Sequence, residues 1–284
     1  MSNSESIVPF DEGLLRLPSC LPVHGQLGSV LTCGVVRTTE STTQVLAVAT
    51  YRHFLSTFDT RRFEIDDLVV DENERNRGLG TRLFHYVFNE AKECGATSIM
   101  VHCDTSNVQA HRFLFRLGFT IIVFEFCLKN LQPSESNDRI RIIDMPDDEL
   151  LLRAQDVYRQ LRPHLPEDGQ SFLGQIRDIC RTGPARVVIA TSNDTDANIL
   201  GIAAYRITHT AMHGKHIYCD DLVTNEASRS SGVGRALINY MKNEANKVGM
   251  DRLVLDSGCH RGRAHKFYYR EGFTIDRFGF RMTF

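Results

Sequence analysis

The sequence predicts an α/β (α+β) protein built from two tandem copies of one domain. The first observation is an internal repeat, in which residues 66–121 match residues 220–275 without a gap, and 22 of the 56 aligned positions are identical. A gapless repeat of this length indicates a duplicated domain. The second observation is that strand-like and helix-like hydrophobic periods alternate within each copy. The third is a glycine-containing turn that follows a strand and opens a helix in both copies.

Length and composition agree with two globular domains. The chain has 284 residues, of which 42% are hydrophobic and 24% are charged, with a formal net charge of −2. A net charge so close to zero does not indicate binding to nucleic acid or to an anionic membrane, so neither partner is predicted. No stretch approaches the roughly 20 apolar residues of a membrane span. The eight cysteines are scattered and form no CxxC pair, which predicts reduced thiols and a cytoplasmic or nucleocytoplasmic protein.

A polar segment separates the two copies. Residues 130–138 read NLQPSESND, a composition typical of a linker. The predicted domains are therefore residues 1–130 and 139–284. The first copy has fewer than 30 residues before its first predicted strand, and these contain three prolines, so we expect it to lack a full helical segment that the second copy has.

The elements of the second copy follow in order from their periodicity. Apolar residues at helical spacing predict a helix at the start, and a later amphipathic helix ends at Gly249, a typical residue after a helix C-terminus. β-rich segments lie between and after the helices. The predicted helices are 148–161, 234–248 and 263–270, and the predicted strands are 185–191, 199–206, 216–224, 252–256 and a last group within 273–284.

The glycine turn has the same pattern, R-x-x-G-x-G, in both copies. It comprises Arg75, Gly78 and Gly80 in the first copy, and Arg229, Gly232 and Gly234 in the second. Glycines allow positive φ and a close approach of backbone N–H groups to a ligand. The N-terminus of the following helix adds a partial positive charge, so the turn suits an anion such as pyrophosphate. An A-H-x-F-x-x-R-x-G-F string follows about 30 residues later in each copy, which disfavours a purely structural turn.

These two features together resemble the GCN5-related N-acetyltransferase (GNAT) family, over nearly all of both copies. In the second copy the family's string is found at residues 220–223, 229–234, 255–258 and 264–273. The resemblance implies a twisted mixed sheet flanked by helices, with two strands that splay at a bulge around the pantetheine arm of acetyl-CoA. It implies the following cofactor-binding residues: Leu222, Val223, Thr224, Arg229, Ser230, Ser231, Gly232, Val233, Gly234 and Arg235, with Arg75, Gly78, Gly80 and Asn107 in the first copy.

The resemblance also implies the reaction, which is direct attack of an amine on the thioester of acetyl-CoA. Tyr268 stands where the family carries the tyrosine that faces the thiolate, so it is the predicted acid, although a packed aromatic is the alternative. Leu114 stands at that position in the first copy and has no proton to give. The family's Asn is kept as Asn107 in the first copy, but Arg261 replaces it in the second.

Relatives place a carboxylate before the pantetheine strand, and here that position holds Asp220 and Asp221. Neighbouring strand residues point to opposite faces, so only one can face the acceptor, and we favour Asp220 as the base. The alternative is that the carboxylates bind the acceptor amine or cap a loop. An amine with a pKa near 10.4 is mostly charged at neutral pH, which makes a base or a water chain useful.

Two further clusters have competing interpretations. His209, His213 and His216 crowd one hairpin with Cys219, but their spacing favours a solvated hairpin, and no metal site is predicted. The segment YRQLRPHLPEDG contributes basic and acidic side chains that either line the acceptor side or form a solvated helix end, which we favour. Those side chains are Arg159, Arg162, His164 and Glu167.

The predicted function is therefore an acetyl-CoA-dependent N-acetyltransferase whose active site lies in the second copy. Its predicted partners are acetyl-CoA and an amine-bearing small molecule or peptide, and the sequence does not indicate which. One alternative is a non-catalytic acyl-CoA-binding or scaffold protein. Another is an enzyme with two active domains, in which water or Glu64 serves the first copy.

Overall fold

The computed structural model describes residues 4–10, 30–39, 41–55, 57, 62–133, 137–182, 185–210 and 212–284. The chain forms two compact units. The first comprises residues 1–54, 61–122 and 278–284, and the second comprises residues 55–60 and 123–277. No helix among the described residues is long and apolar enough to cross a membrane.

In the described residues of the first unit, a mixed sheet is accompanied by two α-helices. Its elements are β1 (Ser4–Phe10), β2 (Leu31–Thr38), β3 (Thr43–Phe54), β4 (Arg62–Val70), α1 (Leu79–Glu93), β5 (Ser98–Asp104), α2 (Val108–Arg116) and the start of β6 (Thr120–Leu128). The strands β1 to β4 are antiparallel, whereas β4 and β5 are parallel. The last residues of the chain, from Phe278, continue this sheet beside β5. The core includes Phe280, which is fully buried in the same cluster as Leu83 and Phe119.

The second unit repeats this plan and adds helices. Its elements are the rest of β6, β7 (Ile140–Asp144), α3 (Asp148–Arg159), α4 (Gly169–Thr182), β8 (Ala185–Ser192), β9 (Ile199–Thr210), β10 (Gly214–Thr224), α5 (Val233–Lys247), β11 (Leu253–Gly258), α6 (Gly262–Arg270) and β12 (Thr274–Thr283). The strand order in this unit is β6-β11-β10-β9-β8-β7, with β10 and β11 parallel.

The side chains of β8 and β9 point alternately to the two faces of the sheet, and each face packs against a different set of helices. Val188 and Ala203 pack in the cluster that contains the apolar side chains of α5 and Tyr268 of α6. Their neighbours Val187 and Ile202 pack with the buried side chains of α3 and α4 instead. Since successive residues of a strand point to opposite faces, the sheet is covered on both sides.

Most predicted elements are present, and three differ. β7 and α4 were missed, and the last predicted group of strands is the single strand β12. The prediction that the first copy lacks a helical segment falls largely on residues 11–29, which lie outside the described residues. The predicted boundaries at residues 130 and 139 follow the repeat, whereas the units exchange strand ends: residues 123–128 belong to the second unit and residues 278–284 to the first.

Candidate functional site

The strands β10 and β11 separate partway along their length. They pair over three positions, residues 217–219 with residues 253–255, while β10 continues to Thr224 against β9. A β-bulge at Asp220 marks the separation, since the pairing register shifts between Cys219 and Asp221. The β11 side of residues 222–224 is therefore open to an extended ligand that pairs with backbone groups. β4 separates from β5 in the same way, with its bulge at Asp66.

The glycine turn of the second unit leads from β10 into α5. Gly232 is the N-cap of α5 with a φ of 91°, and no side chain caps this helix. The first backbone N–H groups of α5 therefore remain available to an anion. Gly234 is required by packing, because a Cβ atom there would lie 2.9 Å from the ring of Phe267 on α6.

A groove of about 800 Å³ lies between these elements. It is lined by most of the predicted cofactor-binding residues and by the predicted acid. These are Leu222, Val223, Thr224, Arg229, Ser230, Gly232, Val233, Gly234, Arg235 and Tyr268. Ser231 is not in the lining. Its hydroxyl donates to the carbonyl oxygen of Ser228 at 2.6 Å, and its own carbonyl accepts from Asn137 at 3.3 Å.

The groove carries an excess of positive charge. Its basic lining residues are Arg229, Arg235, Arg261, Arg263, Lys266 and Arg270, against one carboxylate, Glu271. Arg235 pairs with Glu271 at 2.9 Å, and Arg229 pairs with Glu226 at 2.7 Å. Three of the cations have no ion pair with any described residue, namely Arg261, Arg263 and Lys266. Such a surface attracts a polyanionic ligand.

Tyr268 lies on α6 and is 8% exposed. Its ring packs at 5.1 Å from that of Phe126 and at 5.7 Å from that of Phe273. Its hydroxyl group has no hydrogen-bond partner among the described residues. Burial raises the pKa of Tyr268 above its ordinary value, so the phenol stays protonated at neutral pH. A protonated hydroxyl without a protein partner, on the wall of a groove, is suited to donate a proton to a ligand.

The two carboxylates of β10 have different surroundings. Asp220 pairs with Arg206 at 2.8 Å, and the first unit repeats this pair as Arg52 and Asp66 at 2.6 Å. The repetition indicates that the pair supports the bulge in both units. Neither Asp220 nor Asp221 is part of the groove lining.

Asp221 is held by three donors, and its side chain is fully buried. The hydroxyl of Tyr158 donates to it at 2.7 Å and Nε of Arg162 at 2.8 Å. The hydroxyl of Thr57 also donates to it. This arrangement is specific to the second unit, since the equivalent Asp67 accepts from Thr50 at 3.0 Å.

The first unit keeps the turn but not the tyrosine. Gly78 is the N-cap of α1 with a φ of 79°, and again no side chain caps the helix. Arg75 donates to the carbonyl oxygen of Val70 at 3.3 Å. Asn107 caps α2, because its side chain accepts from the N–H of Ala110 at 3.1 Å. Leu114, at the position of Tyr268, is buried in the core.

Two expectations about polar clusters are corrected. The hairpin histidines are not solvated as a group, because His213 is 7% exposed and its Nε2 donates to the carboxylate of Glu125 at 2.9 Å, and His216 is 2% exposed. Only His209 is exposed. These two side chains are buried because their hairpin packs in the second unit, a contact that local spacing does not reveal.

The end of α3 is also not a solvated helix end throughout. The guanidinium of Arg162 is bound to Asp221, 59 residues away. His164 Nε2 lies 2.7 Å from the carbonyl oxygen of Thr57. Glu167 does match the expectation, since its side chain is 83% exposed.

Sequence reasoning missed several lining residues. Gln160 and Leu161, at the end of α3, line the groove, and Gln160 accepts from the N–H of Glu226 at 3.0 Å. Arg263 and Lys266 of α6 also line it. For the α6 residues, the sequence did contain a signal, namely several basic residues close together in a helix that both repeats share. No local feature of the sequence marks Gln160 as a lining residue.

The comparisons with known proteins agree with this geometry. The model of the acetyltransferase (GNAT) family matches residues 27–119 and 151–273. Because these two segments make up most of the chain, the protein belongs to the GNAT acetyltransferase family and carries two copies in tandem. The predicted family, fold class and enzyme class, an N-acetyltransferase, are confirmed.

Individual relatives match either less than half of the chain or about nine-tenths of it. The chain is 42% identical over 127 residues to the uncharacterized N-acetyltransferase YhdJ of Bacillus subtilis, which covers 44% of this chain and 85% of that protein. A GCN5-related N-acetyltransferase from Sphaerobacter thermophilus has a TM-score of 0.58 at 17% identity, over 89% of this chain and 80% of that one. A tandem GNAT protein from the clavulanic acid biosynthesis pathway has a TM-score of 0.57 at 11% identity, over 90% and 83%. These two structures share the fold.

Proposed function

We propose that the second unit transfers an acetyl group from acetyl-CoA to the amine of a small molecule or peptide. The observation that carries this proposal is the groove itself, where an open strand edge leads to an uncapped helix N-terminus and three unpaired cations. An extended pantetheine arm suits the first feature. A pyrophosphate suits the second, and a further phosphate suits the cations.

Tyr268 is the proposed acid. When the amine attacks the acetyl carbonyl, the C–N bond forms and the C–S bond breaks with its electron pair on sulfur. The Tyr268 hydroxyl donates its proton to that sulfur, and the proton lost by the amine returns to the phenolate through the base and water. The absence of a protein partner for the hydroxyl supports this role, because the sulfur can then accept its hydrogen bond.

Asp221 is the proposed carboxylate for the amine's proton, with Asp220 as the residue that fixes the bulge. Asp221 lies close enough to Tyr268 that its charge contributes, after burial and Cys219, to raising the Tyr268 pKa. Asp220 instead repeats a pairing that the first unit also has. Because Asp221 is buried and does not line the groove, this role requires a chain of water molecules between it and the acceptor amine.

The first unit is proposed to be catalytically silent, since Leu114 cannot donate a proton. It keeps a glycine turn that can hold a pyrophosphate. Enzymatic activity from both units remains the competing function, and a wholly non-catalytic acyl-CoA-binding protein is the other. The seven cysteines within the described residues are free thiols, which supports a reducing compartment such as the cytoplasm.

Calorimetric titration with acetyl-CoA tests the proposal by counting sites. The wild type is compared with a Gly232→Glu/Gly234→Glu variant and with the matched Gly78→Glu/Gly80→Glu variant of the first unit. If the wild type has one binding site and only the Gly232→Glu/Gly234→Glu variant loses it, acetyl-CoA binds to the second unit alone. Two sites, each lost in one variant, give the first unit a donor site as well. No heat of binding in the wild type would overturn the acetyl-CoA proposal.

A further inference from the structure

The position before α6 differs between the two repeats in a way that weakens the second helix. In the first unit Asn107 caps α2 by accepting from the N–H of Ala110. The equivalent residue of the second unit is Arg261, which occupies the N-cap of α6 and makes no capping hydrogen bond. Asn is among the best N-cap residues, and Arg has no acceptor to offer. α6 therefore lacks a stabilising contact that its counterpart has.

The side chain of Arg261 is directed to the groove instead. Arg261 is half-buried and lines the groove together with Ala264 and Tyr268 of the same helix. Residues three and seven positions apart share one face of a helix, so the three side chains follow one another along the groove wall. The side chain of Arg261 has no hydrogen bond or ion pair with any described residue, whereas its backbone N–H donates to the carbonyl oxygen of Gly258 at 2.9 Å.

The charged and titratable groups around the Tyr268 hydroxyl come from two elements. Burial is the largest influence and raises the Tyr268 pKa, and Cys219 and Asp221 of β10 raise it further. Arg261 is the positive group among these neighbours, and it acts in the opposite direction. Negative charge that develops beside Tyr268 therefore lies on the same groove wall as one cation whose side chain is unpaired.

We propose that Arg261 is a second catalytic group of this site, whose guanidinium stabilises the negative charge on the CoA sulfur as the acetyl group leaves. The inference rests on the proposed function, because it requires CoA in the groove. Tyr268 supplies the proton to the sulfur, whereas Arg261 supplies fixed positive charge and transfers no proton. A preorganised cation of this kind lowers the barrier because charge develops on the leaving atom only as the C–S bond breaks.

The pKa of the thiol of bound CoA tests this without knowledge of the acceptor. CoA is bound to the wild type and to the variants Arg261→Asn, Arg261→Gln and Arg261→Lys, and the thiolate is followed by its ultraviolet absorbance as pH is raised. A neighbouring cation typically lowers an acid's pKa enough to raise the charged fraction about tenfold or more. We therefore expect about tenfold less thiolate at a given pH in Arg261→Asn and Arg261→Gln, and a near-normal amount in Arg261→Lys.

Pantetheine, which carries no phosphate, separates this role from phosphate binding. If Arg261 acts on sulfur, Arg261→Asn reduces the thiolate fraction for bound CoA and bound pantetheine alike. If Arg261 binds a phosphate, the same variant weakens CoA binding, spares pantetheine and leaves the thiol pKa unchanged, which overturns the inference. Failure of the wild type to bind CoA overturns the proposed function together with it. The Arg261→Asn variant gives α6 the kind of N-cap that Asn107 gives α2, so we expect its melting temperature to equal or exceed that of the wild type. A smaller thiolate fraction in this variant is then not caused by misfolding.

Discussion

At the scale of residues, the two repeats differ at the position of the proposed acid. Tyr268 and Leu114 occupy equivalent positions on α6 and α2, and both are buried against their cores. The leucine has the same role in packing but no proton to donate. The first unit therefore lacks the hydroxyl group that we propose as the acid in the second unit.

Replacement of Tyr268 by Phe removes that hydroxyl and keeps the ring. We expect kcat to fall by about 10²-fold or more, the usual contribution of a general acid, with little change in the Kd for acetyl-CoA. Stability should not change, because the hydroxyl has no protein partner. Thiol release with an amine panel measures the rate, and Leu114→Tyr serves as the control that should not activate the first unit. A variant with full activity would exclude Tyr268 as the acid.

The same residue predicts a pH dependence. Burial raises the pKa of Tyr268, so its proton is lost only above the ordinary tyrosine value of about 10. The acid is therefore present throughout the neutral and mildly alkaline range, and kcat should not decline there through loss of this proton. A decline in kcat centred well below pH 10, and absent from Tyr268→Phe, would contradict this assignment.

Replacing each aspartate by asparagine distinguishes the proposed roles of Asp220 and Asp221. Asp221→Asn should reduce kcat by about 10²-fold, because the proposed base is lost, and should also reduce stability, because its buried pair with Arg162 loses one charge. Asp220→Asn should reduce stability, by about 3 kcal/mol, without a comparable loss of kcat, because the buried pair with Arg206 loses its negative charge. Rates at several pH values and urea denaturation measure the two effects. The reverse pattern would return the role of base to Asp220.

At the scale of elements, the turn between β10 and α5 works because α6 packs closely against it. Gly234 has no room for a Cβ atom, which would lie 2.9 Å from the ring of Phe267. At Gly80 of the first unit the nearest atom would lie 3.5 Å away, an ordinary contact. The same motif therefore tolerates a methyl group in one unit and not in the other.

Alanine at these two glycines tests that difference. Gly234→Ala should destabilise the protein by about 1–3 kcal/mol through overpacking and should weaken acetyl-CoA binding. Gly80→Ala should change the free energy of unfolding little. Urea denaturation and calorimetry measure the two quantities. Equal effects of the two substitutions would show that close packing on α6 is not what the glycine provides.

At the scale of the molecule, each unit contains chain from the other repeat. Phe280, near the end of the chain, is fully buried in the first unit, with its ring 5.4 Å from His111 and from Phe115. Its repeat equivalent Phe126 is fully buried in the second unit, 5.3 Å from His265. The histidine that both repeats share is thus a packing residue on an exchanged strand.

This exchange predicts crossed effects of core mutations. Phe280→Ala should destabilise the first unit by about 3–5 kcal/mol, although Phe280 belongs to the second repeat by sequence. Hydrogen exchange should then show loss of protection in α1 and β5. Phe126→Ala should instead expose α5 and β11. Loss of protection within each residue's own repeat would contradict the exchange.

Thr57 precedes the linker in sequence but belongs to the second unit. It donates to the buried carboxylate of Asp221. Thr57→Val keeps the shape but removes the donor, and should cost about 1–3 kcal/mol. Thr57→Ser keeps the hydroxyl and should cost less. If urea denaturation gives the same loss for both variants, the hydroxyl is not the stabilising group.

Local patterns in the sequence determined the repeat, the two glycine turns and most helices and strands, because periodicity and turn chemistry act over a few residues. β7 is short, and α4 contains glycines and β-branched residues, so their local patterns were weak. The burial of His213 and His216 and the pairing of Arg162 with Asp221 join residues that are distant in sequence. Only the tertiary structure could show them.

The sequence by itself determined that this protein has two related domains, one with the tyrosine and one without. It could not determine which strand ends complete which sheet. The last strands of the two repeats have similar apolar patterns, so local sequence does not distinguish which sheet each of them completes. That choice, the bulge at Asp220 and the three donors on Asp221 were decided by the tertiary structure, because each depends on contacts between segments that no local pattern relates.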